Sequence, residues 1–303
     1  MSTADPDAHQ TFPPRLIGLL VVLTLTWGFN WPMIKLAVAG MAPMHFRTLC
    51  LVAGAAGLFA MGAAARAEWR VPRAEWGRLT AISLFNITGW NILAVYGVSM
   101  MASGRASILG YTMPMWSVLL STWFLGERFT GRRALGVALG MGGMALLLGS
   151  EIQALQRAPL GALCMVGAAI SWAIGLVLIR KWAAHRPATT YSAWQMVIGM
   201  IPIVAIALLL EEGSFNLLVL APGPMIGVLY NMFVAFIFCQ WAWMRIAQSA
   251  PAGVSSLASL MVPVVGVFSG ALVLGETPRS TDYAALVLVV GSLATVLIPS
   301  RRL

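Results

Sequence analysis

Apolar runs of about twenty residues recur along the whole chain, separated by short polar connections, and as a helix that length spans ~30 Å of hydrocarbon. The pattern predicts helices over residues 16–38, 44–64, 76–99, 104–125, 132–149, 159–182, 189–210, 223–246, 252–274 and 281–299. The expected fold class is therefore an all-α integral membrane protein with ten transmembrane helices. Connections this short leave no soluble domain to carry an enzyme. Gly142, Gly143 and Gly291 and the alanine- and glycine-rich second run suit close approach of helices in lipid.

The chain repeats itself. RASILGYTMPMWSVLLSTWFLGER runs over 105–128, and GVSSLASLMVPVVGVFSGALVLGE over 253–276. An offset of 149 (256 − 107) aligns Ser107 with Ser256, Pro114 with Pro263, Gly126 with Gly275 and Glu127 with Glu276. Earlier in each half the offset is 145 (172 − 27), matching Trp27, Lys35 and Asn86 to Trp172, Arg180 and Asn231. Each half then holds five spans, and an odd number forces the second copy to enter the membrane upside down. The expected organisation is a tail over 1–15, one five-helix repeat over 16–150, and a second, inverted repeat over 159–299. Inverted repeats characterise transporters with a site near the midplane between the halves.

Composition agrees with that reading. The 303 residues are 59% hydrophobic and 10% charged, against about 25% charged in an ordinary soluble chain. A net charge of +9 could suggest nucleic acid, but the basic residues sit in short clusters between apolar runs. With the N-terminus inside, fourteen fall on the cytoplasmic side and five (Lys35, Arg47, Arg105, Arg157, Arg279) on the other. Such a bias sets orientation and places both termini in the cytoplasm. The first span, which lacks a basic leader and contains Trp27, Asn30 and Trp31, reads as a retained helix rather than a signal peptide; Ala37-Val-Ala39 is a weak cleavage-like match. Cys50, Cys164 and Cys239 lie inside apolar runs as packing thiols, with no metal-ligand spacing.

No catalytic constellation is expected, and no cofactor or metal. The ten acidic residues and three histidines fall in termini, connections or span ends, whereas chemistry or proton relay inside a membrane needs ionisable groups at depth. Pro114 and Pro263 remove the hydrogen bonds to the carbonyls of Gly110 and Ser259, so each kink either offers a carbonyl dipole to a substrate or merely shapes the bundle. Asn86 and Asn231, at matching mid-span positions, can donate and accept, for a polar substrate or for an interhelical bond. Trp27, Trp90, Tyr111, Trp116 and Trp172 lie away from the interfaces, where they either pack or wall a pocket for an apolar, partly aromatic substrate. The candidate substrate contacts are Trp27, Asn30, Asn86, Trp90, Ser107, Gly110, Tyr111, Trp172, Asn231, Ser256 and Ser259, with Pro114 and Pro263 as kink or gate positions. Glu127 and Glu276 are expected to favour the positive ends of the helices that follow them, and Lys35 and Arg180 to snorkel to opposite interfaces.

Two inverted five-span repeats, TWGFNWPMIK near the start, and the Pro-to-Glu motif closing spans four and nine resemble the drug/metabolite transporter superfamily in its EamA branch. Within that branch the chain looks like the YddG-type exporters of amino acids, aromatic ones especially. The resemblance implies a basket of ten helices in a bacterial inner membrane, with a central cavity lined by spans three, four, eight and nine. It carries Asn86, Trp90, Tyr111, Asn231 and Ser259 into candidate cavity positions. The expected partners are a small-molecule substrate and the lipid bilayer, without nucleic acid. The expectation is facilitated export of amino acids by alternating access. The alternatives are an exporter of drugs or other small metabolites such as nucleobases and polyamines, or a scaffold or sensor that moves nothing.

Overall fold

The computed structural model describes residues 14–153, 159–182, 188–249 and 252–297, and every regular element among them is helical. In chain order the helices are α1 (Pro14–Val38), α2 (Pro43–Ala64), α3 (Arg73–Met100), α4 (Ser103–Leu125), α5 (Gly131–Gln153), α6 (Pro159–Trp182), α7 (Ala188–Leu209), α8, α9 (Ala252–Leu274) and α10 (Ser280–Leu297). Helix α8 is three segments end to end, Pro222–Leu229, Tyr230–Phe238 and Cys239–Ser249. These bounds follow the apolar runs to within a few residues. Seven of the described helices, α1 to α4 and α6 to α8, are long and apolar enough to cross a bilayer, and Met261–Leu274 and Ser280–Thr295 are shorter apolar helices. The expected N-terminal tail falls almost wholly outside the described residues.

The two copies of the Gly-Glu motif end their helices in the same way. Gly126 and Gly275 have φ of 66° and 67°, a left-handed conformation that glycine adopts without a Cβ clash. The turn lets the N–H of Glu127 reach back to the Ser121 carbonyl, and that of Glu276 to the Gly270 carbonyl, each at 3.4 Å. The repeated sequence thus encodes a repeated helix stop.

Each half lends its first helix to the other. Helix α1 packs along α8 and α9, α6 packs along α3 and α4, α2 lies against α7, and α5 against α10. Small residues permit these approaches. A Cβ on Gly227 would stand 2.6 Å from the Met33 carbonyl oxygen and 2.7 Å from the Ala37 nitrogen, both backbone atoms of α1. One on Gly143 would stand 3.0 Å from the Ala285 carbonyl oxygen of α10. The main core runs through all these contacts, from Trp31 and Phe46 to Met165 and Leu293, and a smaller cluster joins Leu23 to Cys239 and Ile246.

Polar contacts sort the helix ends onto two faces. On one, Lys35 of α1 meets the end of α3, Tyr96 of α3 meets Glu211 after α7, Met44 of α2 meets the same glutamate, and Glu276 after α9 meets the start of α4. On the other, Thr190 and Trp194 of α7 donate to the carbonyls of Glu68 and Trp69 after α2, and Glu127 meets Arg133 and Arg180. Helices α1 and α10 each have one end on the Glu276 face, so Pro14 and Leu297 lie together on the Glu127 face.

Candidate functional site

The two predicted asparagines share a local structure that their sequence did not announce. Asn86 lies in a π-helical segment, Leu84–Gly89, and Asn231 in another, Tyr230–Phe238. A π turn widens the backbone and frees carbonyls, and such turns are frequent at functional sites. Helix α6 satisfies one of them, for Ser171 Oγ donates to the Phe85 carbonyl at 2.7 Å. Asn231 Nδ2 donates to the Gly227 carbonyl at 3.0 Å within its own helix. What is left over is complementary. Asn86 Nδ2, Asn231 Oδ1 and Asn30 Oδ1 are buried without a hydrogen-bond partner, a condition rare enough in folded proteins to need a reason. Asn30 is on α1, which packs on the π segment of α8.

Aromatic pairs join the same helices. Trp90 of α3 and Trp172 of α6 meet edge to face at 5.1 Å, and Trp31 of α1 and Tyr111 of α4 at 6.4 Å. Gly110 is bare because Trp31 lies over it; an added Cβ would come within 2.8 Å of the indole. Ser107, fully buried, donates to the Gly104 carbonyl at 2.6 Å and faces the Pro263 carbonyl at 3.5 Å, so the two proline helices meet at the position the repeats share.

The profile of the EamA-like transporter family matches this sequence over residues 15–149 and again over 159–298. The chain belongs to the EamA-like transporter family. It is a multi-pass membrane protein, and the family's business is transport rather than catalysis. It is 26% identical to the uncharacterized transporter YoaV of Bacillus subtilis, over 86% of this chain and 89% of that one. It is also 26% identical to a protein of Escherichia coli named a probable amino-acid metabolite efflux pump, with 92% of each chain covered. A solved crystal structure superposes with a TM-score of 0.67 at 20% identity, covering 96% of this chain and 100% of its own, a likeness of fold alone.

Several expectations for this EamA chain change in the structure. Pro114 does not kink a continuous helix. The helix stops at Gly110 and restarts at Met113, and Pro114 sits in the first turn of the new segment, where its missing N–H has no bond to break. Pro263 lies inside one unbroken helix, so the sequence-matched prolines differ in effect. Trp27 leaves the other tryptophans and packs at 5.5 Å against Trp243, in the smaller cluster. The side chains of Ser256 and Ser259 fall outside the described residues. The Lys35 ammonium is half-buried at the Glu276 face and donates to the carbonyls of Val98, Ser99 and Met101, each at 2.9 Å, which caps the C-terminal end of α3.

Glu276 has the right kind of partner on an unexpected helix. Its carboxylate accepts from Ser103 N (2.7 Å), Ser103 Oγ (3.0 Å) and Gly104 N (3.1 Å), capping α4 rather than α10. Beside it Arg105 and Asp282 form an ion pair at 2.8 Å, and a cavity of about 240 Å³ opens between Arg105, Val267, Glu276 and Arg279 at this end of the bundle. Glu127, its repeat mate, instead meets Arg133 at 2.8 Å and Arg180 at 3.7 Å, with the arginines 34% and 57% exposed. The repeat-mate glutamates therefore differ in their partners: Glu276 binds the first turn of α4, and Glu127 binds two arginines. Sequence reasoning also missed Trp31, Ser171 and Glu211. Their partners are set by packing between distant helices, and the only available signal was the position of Trp31 in the same motif as Asn30.

Proposed function

We propose that this chain exports amino acids, including aromatic and other apolar ones, from the cytoplasm across a bacterial inner membrane. Two five-helix halves, residues 16–150 and 159–299 with a cytoplasmic tail over 1–15, cross ten times in inverted relation and rock about a shared site by alternating access. The observation that carries the reading is the matched pair of π turns. Each holds a buried asparagine amide, one with an unpaired donor and the other with an unpaired acceptor, and Trp90, four residues after Asn86, meets Trp172 edge to face. A substrate that both accepts and donates hydrogen bonds and carries an apolar side chain satisfies both features. The name of the Escherichia coli relative supports efflux of such a metabolite.

The Glu276 contacts, which tie the end of α9 to the start of α4, suit a gate. With the basic residues biased to the Glu127 side, that side is cytoplasmic, and the Glu276 contacts form the outer gate. The acidic groups lie at helix ends rather than at the amide pair, so transport is downhill. In proteoliposomes, counterflow of labelled phenylalanine survives an uncoupler; no counterflow of any amino acid would overturn the assignment, and collapse with the uncoupler would overturn the energetics. Replacing Asn86 or Asn231 by leucine lowers exchange at least tenfold while the protein stays folded.

A further inference from the structure

Arg47 counts in the sequence as one of the few basic residues near the outer surface, yet in the structure it is 3% exposed. Its guanidinium turns into the helix bundle. Cζ lies 4.8 Å from the Phe46 ring centre and 5.6 Å from that of Phe236, with the Cys50 thiol as its polar neighbour. Nε is buried without a hydrogen-bond partner, and no ion pair to Arg47 forms among the described residues. Aromatic faces compensate a desolvated cation only in part, and a buried charge is normally kept only where something pairs it.

Its place suggests what does. Helices α2 and α8 both run away from the Glu276 face, and Gly54 of α2 meets Phe236 of α8, where an added Cβ would stand 3.2 Å from the ring. Asn231 is five residues nearer the Glu276 face than Phe236, and so is on the same side of Phe236 as Arg47. Phe236, against which the Arg47 guanidinium lies, belongs to the π segment that holds Asn231. The repeat supplies a control. At the offset of 145 the mate of Arg47 is Ser192 (47 + 145), so the charge is not part of the scaffold the two halves share.

We infer that Arg47 is the anion anchor of the substrate site. It pairs the carboxylate of the transported molecule while the free Asn231 Oδ1 accepts from its ammonium group. This rests on the exporter reading and narrows it: the substrate carries a carboxylate, and polyamines and cationic drugs are excluded by repulsion. Because the cation has no mate in the other half, the substrate is held in one orientation.

The test uses purified full-length protein in proteoliposomes, with three probes that share a phenyl ring: phenylalanine, phenethylamine without the carboxylate, and 3-phenylpropionate without the amine. Wild type exchanges labelled phenylalanine, Arg47→Leu does so at least tenfold more slowly, and Arg47→Lys falls between. In thermal unfolding, phenylpropionate raises the midpoint of wild type but not of Arg47→Leu, and phenethylamine raises neither. Exchange by Arg47→Leu at the wild-type rate, or equal stabilisation of wild type by phenethylamine, would overturn the anchor. If wild type exchanges no amino acid, the exporter reading falls, and the unfolding shifts still decide whether Arg47 binds carboxylates. An unpaired buried cation replaced by leucine should fold at least as well. Should Arg47→Leu not be recovered folded, Arg47→Gln, which removes the charge and keeps polarity, takes its place: slowed exchange supports the anchor, and exchange at the wild-type rate overturns it.

Discussion

Removing the Glu276 carboxylate is the sharpest way to ask whether the Glu276 face is a gate. In the observed state that group accepts two backbone N–H bonds and one hydroxyl bond from the first turn of α4, at 2.7, 3.1 and 3.0 Å. A bond to a charged acceptor contributes ~1.5–3 kcal/mol net of its exchange with water, while loss of a helix cap by itself costs about 1 kcal/mol. Opening the face lets water reach the donors, so the net loss in Glu276→Ala is about 2–3 kcal/mol against the closed state. At 1.4 kcal/mol per tenfold, the equilibrium moves roughly 30- to 150-fold toward opening. The reporter is Val267→Cys, since Val267 is 2% exposed and a Cβ on Gly104 would stand 3.1 Å from its Cα. Cys50 and Cys239 are buried, so Cys164→Ser gives a quiet background. A membrane-impermeant maleimide should label the introduced thiol at least tenfold faster in Glu276→Ala, with Glu276→Gln intermediate because an amide keeps one acceptor. Equal labelling rates in folded protein would refute the gate, leaving Glu276 as a cap on a surface that never opens.

Three further outcomes follow from the packing. Gly227→Ala meets two backbone atoms of α1 that cannot move aside and should lower the thermal midpoint by several degrees, whereas Gly18→Ala, with nothing within 4 Å, should change it little. Lys35→Met leaves the carbonyls of Val98, Ser99 and Met101 at the end of α3 without their donor and should destabilise the protein by about 1–3 kcal/mol in reversible unfolding; Lys35→Arg should recover part of it. Pro114→Ala should leave transport near wild type because that proline opens a helix segment, while Pro263→Ala, inside an unbroken helix, should alter the exchange rate. Equal effects of the two proline changes would mean that the break before Pro114 is not what separates them.

The linear sequence determined the helices and the internal repeat. Spans of apolar residues leave a helix as the structure that satisfies its own backbone in lipid, and the Gly126 and Gly275 stops need only a residue free to take a positive φ. These are local requirements, so the chain states them outright. The asparagines were legible as matched positions for the same reason. Tertiary structure alone decided their meaning. The π turns form where α6 and α1 press on α3 and α8, and Ser171 can serve the Phe85 carbonyl only once distant helices are side by side. Glu276 capping α4, Lys35 capping α3 and the burial of Arg47 all depend on which helix ends share a face, and hydropathy carries no record of that. An arginine near a span end looks the same in sequence whether it points to water or inward. Only neighbours such as Phe236, almost two hundred residues away, fix the direction.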